Sequence, residues 1–201
     1  MHRSIIGLYQ RHAASFDKDR GRSLQEKAWL DRFLANVPRG GTVLDIGCGM
    51  GEPIAAYLIA QHLRVVGIDS SPPLVQLCRE RFPGEEWVIG DMRTMALGRR
   101  FAGILAWDSF FHLHMDDQRA MFSRFAAHAL PGAPLMFTSG TGLGEAIGAY
   151  CGEPVYHASL DRSEYEQLLA SNGFSVLLHQ VEDPDCGGHT IWLTKAVERE
   201  Q

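Results

Sequence analysis

Residues Val43-Leu44-Asp45-Ile46-Gly47-Cys48-Gly49-Met50-Gly51-Glu52 constrain the fold of this chain more than any other stretch. A short, mostly apolar run reads as a buried strand, and three glycines then alternate with side chains where a helix should begin. Glycine removes the Cβ barrier to unusual backbone angles and lets a ligand press against the main chain. Such a junction leaves unpaired amide N–H groups at a helix N-terminus, where an anionic or polar ligand group can dock.

Three nucleotide-type ligands use turns of this kind. A phosphate-cradling loop ends in Gly-Lys-Ser/Thr, and no lysine follows here. The dinucleotide fingerprint spaces its glycines G-x-G-x-x-G, but Glu52 stands at the third position. The acid inside the strand, Asp45, repels a pyrophosphate and attracts a cationic group such as an ammonium. Two later apolar runs also end in acids: Val65-Val66-Gly67-Ile68-Asp69 and Trp87-Val88-Ile89-Gly90-Asp91. In a doubly wound sheet, ligands bind beyond the carboxyl ends of the strands. An Asp at the second tip, read with both carboxylate oxygens free, suits the two hydroxyls of a ribose.

The series Asp45-x-Gly47-x-Gly49-x-Gly51, then Asp69, then Asp91 resembles class I S-adenosylmethionine-dependent methyltransferases, most strongly over residues 43–92 and at fold level over 40–196. The resemblance implies S-adenosylmethionine as cofactor and S-adenosylhomocysteine as product. It places the methionine part against Asp45, Gly47, Cys48, Gly49 and Gly51, the ribose at Asp69 and Ser70, and the adenine at Asp91 and Met92. Tyr9, His12 and Phe16 lie on one face of a helix and resemble the aromatic entry segment of small-molecule methyltransferases, in which an aromatic residue covers the cofactor. Core packing is the competing role for that stripe. Trp107 offers a flat surface for a sulfonium or an aromatic acceptor, or fills core.

The order of elements fits. Residues 2–16 and 22–37 read as helices, the second stopped by Pro38-Arg39-Gly40-Gly41. Strands are expected at 43–46, 64–68, 86–89, 104–108 and 134–139, with helices between them, which predicts right-handed crossovers and a parallel sheet. Phe174–Val181 and Thr190–Ala196 are joined too closely for another crossover and must pair antiparallel. The expected fold is therefore α/β: a Rossmann-like, mostly parallel seven-stranded sheet closed by a C-terminal antiparallel hairpin. N-terminal helices over 1–39 would cap the site, and 40–201 would form the methyltransferase domain. An insert at 140–160, too long for a plain connection, would complete a substrate cap.

Other features set limits. A net charge of −5 argues against nucleic acid as the main partner, although residues 1–40 carry net +4 and the remainder −9. Basic helix faces over an acidic domain explain that asymmetry; alternatively Arg3, Arg11, Lys18, Arg20, Arg22 or Lys27 bind the cofactor carboxylate or an acidic substrate. No apolar run approaches the roughly 20 residues of a membrane span. The N-terminus shows no export pattern, and the four cysteines lack a CxxC pair, so a cytoplasmic chain with free thiols is expected. Expected partners are a small-molecule substrate, with neither nucleic acid nor membrane, in a monomer or homodimer.

Methyl transfer from a sulfonium needs alignment and exclusion of water, and a base only where the acceptor must lose a proton. Trp107-Asp108-Ser109-Phe110-Phe111-His112 begins at the tip of strand four, beside the expected methyl donor. His112 is the first candidate base, on the strength of an ordinary imidazole pKa near 6.5. His189 has equal geometric standing, because the turn that carries it should lie on the ligand side. Asp108 could orient a histidine or attract a cationic amine. Cys186-x-x-His189 lacks a second close ligand pair, so no metal is expected. The expected function is methyl transfer to oxygen or nitrogen of a small molecule. The alternatives are a non-catalytic S-adenosylmethionine-binding sensor or partner module and, with less support, an NAD(P)-dependent oxidoreductase.

Overall fold

The computed structural model describes residues 2–197, with side chains from Ile5 onward. The chain runs through α1 (His2–Arg11), α2 (Ala13–Asp19), α3 (Lys27–Leu34), β1 (Thr42–Ile46), α4 (Ile54–Ala60), β2 (Arg64–Asp69), α5 (Pro72–Arg81), β3 (Glu86–Ile89) and β4 (Gly103–Ala106). It continues through α6 (Met115–His128), β5 (Pro134–Ser139), β6 (Gly144–Tyr150), β7 (Glu153–Ser159), α7 (Arg162–Ser171), β8 (Phe174–Asp183) and β9 (His189–Ala196). Seven strands form one sheet in the order β3-β2-β1-β4-β5-β9-β8. Neighbours from β3 to β5 pair parallel, whereas β9 pairs antiparallel with both β5 and β8. The tip of β8 thus returns to the rim where β1, β2 and β4 end.

Side-chain alternation loads both faces of this sheet, as parallel strands covered by helices require. Leu44, Ile46, Val66, Ile68, Ile104, Leu135, Phe137 and Trp192 pack toward α6 and α7 around Phe110, Phe122, Phe125 and Tyr165. Val43, Val65, Leu105, Met136, Ile191 and Leu193 pack the other way against Trp29, Phe33, Ala55, Leu58 and Cys78 from α3, α4 and α5. Period two puts Asp45 on this second face, beside Val43.

Local chemistry moves several boundaries. The first predicted helix breaks at His12, which leaves the helical region at φ −106°, ψ 20°. The second is shorter at both ends, beginning at Lys27 after a left-handed Leu24. Strand four ends at Ala106, because Asp108 turns left-handed at φ +48°. The insert at 140–160 folds as a two-stranded antiparallel hairpin, β6–β7, separate from the main sheet.

That hairpin is tied down by one buried polar side chain. Gln118 of α6 donates through Nε2 to the Leu113 carbonyl at 3.0 Å and the Ala158 carbonyl at 2.9 Å, and accepts from the Tyr165 hydroxyl at 2.6 Å. Gln118→Leu removes these three hydrogen bonds, an expected loss of about 2–3 kcal/mol, although the Tyr165 hydroxyl keeps the Ser159 hydroxyl and the Leu160 amide as partners. Urea unfolding measures that loss, and limited proteolysis should show earlier cleavage within 140–160.

Candidate functional site

At the end of β1 the backbone is forced by two close approaches. Gly47 sits at φ +75°, and a Cβ there would come within 2.2 Å of Ser109 Cβ. Gly49, at φ +56°, lies under the Phe16 ring, with a Cβ position 3.3 Å from it. Hydrogen bonds hold the neighbouring tips at one level. The Gly47 amide donates to the Ile68 carbonyl at 2.7 Å, and Ser109 Oγ donates to the Ile46 carbonyl at 2.7 Å. The Gly49 amide donates to Asp69 Oδ2 at 3.0 Å.

Beyond this rim lies a cleft of about 750 Å³ lined by Tyr9, Phe16, Gly47, Gly49, Asp69, Ser70, Asp91, Met92, Asp108 and His112, with Ile5, Ile68, Leu74 and Leu113 as apolar walls. A second, of about 410 Å³, is lined by Arg20, Asp45, Cys48, Gly51, Trp107 and others. The two share Phe16, Gly47, Gly49 and Asp108 and so meet above the glycine turn. The expected residues are divided between these two adjoining compartments, except His189, which lines neither.

The three acids differ in setting. Asp69 does not keep both oxygens free as expected: Oδ1 accepts from the Ser71 amide at 2.9 Å and Oδ2 from Gly49. Each oxygen retains a further lone pair. Burial outweighs those bonds and pushes the carboxyl up to about 6. Asp45, 4% exposed, is pushed up to about 7 by burial and by the charge of Asp69, with Arg20 opposing. Asp91 is gripped by Arg93, whose Nε lies 3.0 Å from both oxygens and whose Nη2 lies 2.5 Å from Oδ2.

The histidines correct the expectation most. His112 does not keep an ordinary imidazole pKa; burial pulls it down to about 4. Its Nδ1 lies 2.9 Å from the Tyr156 carbonyl, so the neutral ring carries its proton there, and Nε2 accepts from the Tyr9 hydroxyl at 3.2 Å. His189 is shifted the other way, raised first by its hydrogen bond to Asp108. Its Nδ1 lies 2.6 Å from the Cys186 carbonyl and its Nε2 2.9 Å from Asp108 Oδ1. Both nitrogens face acceptors, which suits an imidazolium.

Other residues sit beside the clefts in ways the sequence left open. Tyr9 and Phe16 meet edge to face at 5.2 Å inside the first cleft, while His12 turns away to Glu153 at 2.7 Å. Cys48 lines the second cavity, and its thiol is buried beside that of Cys78. Trp107 packs on His189 at 5.3 Å and reaches the second cavity alone. Of the basic candidates, Arg20 lines that cavity. Arg11, Arg22 and Lys27 pair with Glu153, Asp17 and Asp31, and the Arg3 side chain lies outside the described residues. Sequence reasoning missed Arg93 and Ser109; Ser109 adjoins Asp108, and nothing in the pattern singled out Arg93. Among the described residues, no group of three or more His, Cys, Asp or Glu is arranged to hold a metal ion, and no helix is long and apolar enough to cross a membrane.

Residues 43–132 match the family profile described as a methyltransferase domain. A dTDP-3-amino-3,6-dideoxy-alpha-D-glucopyranose N,N-dimethyltransferase of Streptomyces fradiae is 34% identical over 129 residues, 63% of this chain and 49% of that protein. The chain thus spans about half the length of this curated relative, and less of others. Among solved structures, an S-adenosylmethionine-dependent methyltransferase from Clostridium acetobutylicum aligns with a TM-score of 0.73 at 14% identity, covering 94% of this chain and 99% of that one. An amino pentose methyltransferase from Micromonospora echinaspora, solved with S-adenosylmethionine bound, aligns at 0.71 and 20% identity over 93% and 96%. Residues 43–132 therefore match a methyltransferase domain, and the strand order throughout is the fold shared with solved S-adenosylmethionine-dependent methyltransferases.

Proposed function

We propose that the protein transfers a methyl group from S-adenosylmethionine to oxygen or nitrogen of a small-molecule acceptor. The observation that carries this reading is the pair of adjoining cavities meeting above Gly47 and Gly49. The second is lined by three carboxylates, Asp45, Glu52 and Asp108, and by one guanidinium, Arg20, which also pairs with Glu26 at 2.7 Å; Asp45 and Arg20 complement the ammonium and carboxylate of a methionine moiety. The first offers Asp69 for a ribose diol, Asp91 with Met92 for an adenine, and apolar walls for the rings. The residues present therefore fit the cofactor, and the solved amino pentose methyltransferase binds it on the same fold.

When bound, S-adenosylmethionine supplies the methyl group, which leaves a positively charged sulfur. The chain's own residues orient and enclose. Phe16 covers the glycine turn with Tyr9 edge to face against it, and the Arg11–Glu153 ion pair fastens α1 to the hairpin. Residues 1–39 and 140–160 act as the cap that keeps water from the transfer. His112, neutral and desolvated, serves better as the acceptor that aims the Tyr9 hydroxyl than as a base.

Calorimetric titration is expected to show binding of S-adenosylhomocysteine and none of NAD; the reverse would overturn the proposal. Asp69→Ala removes two acceptors from the diol and should weaken S-adenosylhomocysteine by about 10- to 100-fold. Asp45 yields a stability prediction. Its folded pKa is raised, so its contribution is present at low pH and lost as pH rises through about 7. Asp45→Asn should therefore raise the Tm of the ligand-free protein at pH 8 by at least about 2 °C relative to its effect at pH 5, while weakening S-adenosylhomocysteine.

A further inference from the structure

The two long sides of the β6–β7 hairpin are used differently. Its loop is Cys151 and Gly152, both left-handed at φ +49° and +77°, as a tight hairpin turn requires. Such a loop makes Tyr150 and Glu153 a hydrogen-bonded pair, and bonded and non-bonded pairs then alternate along the ladder. Gly148 with Val155 and Ala146 with His157 therefore bond to each other. Glu145, Ile147 and Ala149 on β6, and Pro154, Tyr156 and Ala158 on β7, turn their backbone groups outward. On β7 that outward row is occupied: the Tyr156 carbonyl accepts from His112 Nδ1–H at 2.9 Å and the Ala158 carbonyl from Gln118 Nε2 at 2.9 Å. On β6, among the described residues, nothing pairs with the outward N–H and C=O groups of Glu145, Ile147 and Ala149. Long, flat, unpaired edges are templates for pairing, and proteins blunt them with lysine, proline or bulges. The edges of the main sheet are blunted: β3 has four residues, and β8 is broken by two register shifts. β6 runs seven residues without a shift and carries neither lysine nor proline. Ile147 on it and Leu143 just before it are 60% and 63% exposed.

We infer that the free edge of β6 is an interface for a second copy of this chain, paired antiparallel about a two-fold axis at Ile147, so that two hairpins join as one four-stranded sheet. The strand's self-complementarity selects this occupant. With Ile147 opposite Ile147, Glu145 falls opposite Ala149 of the second copy and Leu143 opposite Cys151. This register alone sets all three outward residues against outward residues, with two backbone hydrogen bonds in each pair. It also takes the Ile147 side chains out of water against each other. Charge fits as well. Glu145 is the one charged residue of β6 and lies away from the turn, whereas Arg11 of α1 lies at the turn end, against Glu153. Antiparallel pairing carries each Glu145 toward the Arg11 end of the other copy and keeps the two Glu145 residues roughly 14 Å apart along the strands. A two-fold axis at Glu145, or an in-register parallel pairing, would set like charges side by side. Every copy presents the same edge, as an isologous interface requires. The inference concerns assembly and holds for any methyl acceptor.

Sedimentation equilibrium of the intact chain at micromolar concentration should give twice the mass of one chain. A monomer overturns the inference, whether or not its edge takes up a peptide or another protein. Ile147→Lys sets two ammonium groups face to face at the axis and should raise the dimer dissociation constant at least about 100-fold. Leu177→Lys, at an exposed position of β8, should change that constant by less than about 3-fold. A dimer that survives Ile147→Lys, or one that Leu177→Lys dissociates, overturns the assignment of the edge. If Ile147→Lys does not fold, amide hydrogen exchange of the wild type decides. The Glu145, Ile147 and Ala149 amides should exchange at least about 10-fold more slowly in the dimer than in the diluted chain. The Ala146 and Gly148 amides, already bonded to β7, should change by less than about 3-fold. Equal exchange of the three outward amides in both states overturns the inference.

Discussion

The hydrogen bond from the Gly49 amide to Asp69 Oδ2 joins the glycine turn after β1 to the tip of β2, and the site is organised around that link. A carboxylate can accept it only if Gly49 turns its N–H back toward the sheet, which its positive φ allows. Ser109 completes the lock from the other side, binding the Ile46 carbonyl and occupying the space a Gly47 side chain would need. Three strand tips are thereby fixed at one level before any ligand arrives. Such preorganisation suits a reaction whose main demand is alignment.

Rigidity at that rim has an electrostatic consequence. Asp45 is buried and Asp69 half-buried near it, and each is pushed toward its neutral form by desolvation; for Asp45 the neighbouring charge adds to it. Buried acids held this way destabilise the free protein and become favourable when a cation or hydroxyl donors reach them. The same logic separates the two histidines. His112 lies among Tyr9, Phe111 and His157 with no carboxylate in hydrogen-bond contact, so burial dominates. His189 has a carboxylate at contact distance, so the partner dominates over burial.

This division explains what could be read in advance. Apolar runs ending in Asp45, Asp69 and Asp91 already imply parallel strands with acids at one rim, because period-two burial and crossover handedness leave little freedom. The short link between β8 and β9 likewise implies the antiparallel ending. The states of the side chains at the rim were not legible. Nothing local says that Asp69 is already bonded to two backbone amides, that Arg93 folds back onto Asp91, or that the Cys48 thiol is buried beside that of Cys78. Those facts depend on partners 2 to 30 residues away and on burial created by the assembled sheet. His112 shows the cost of reasoning from an unperturbed pKa: its position at the cleft was legible, but its desolvation by the 140–160 hairpin was not.

The hairpin and the first helices do more than cover. The Tyr156 carbonyl on β7 accepts a hydrogen bond from His112 Nδ1–H, which leaves Nε2 to accept one from the Tyr9 hydroxyl of α1. Glu153, at the start of the same strand, binds Arg11 and His12 at the end of α1. The first helices and the hairpin are therefore coupled through one imidazole and one carboxylate beside the first cleft. The left-handed Asp108 lies on the sheet's side of that gap, held by Thr138 from β5 and by His189 from the head of β9. Its position depends on the sheet and not on the hairpin or the first helices.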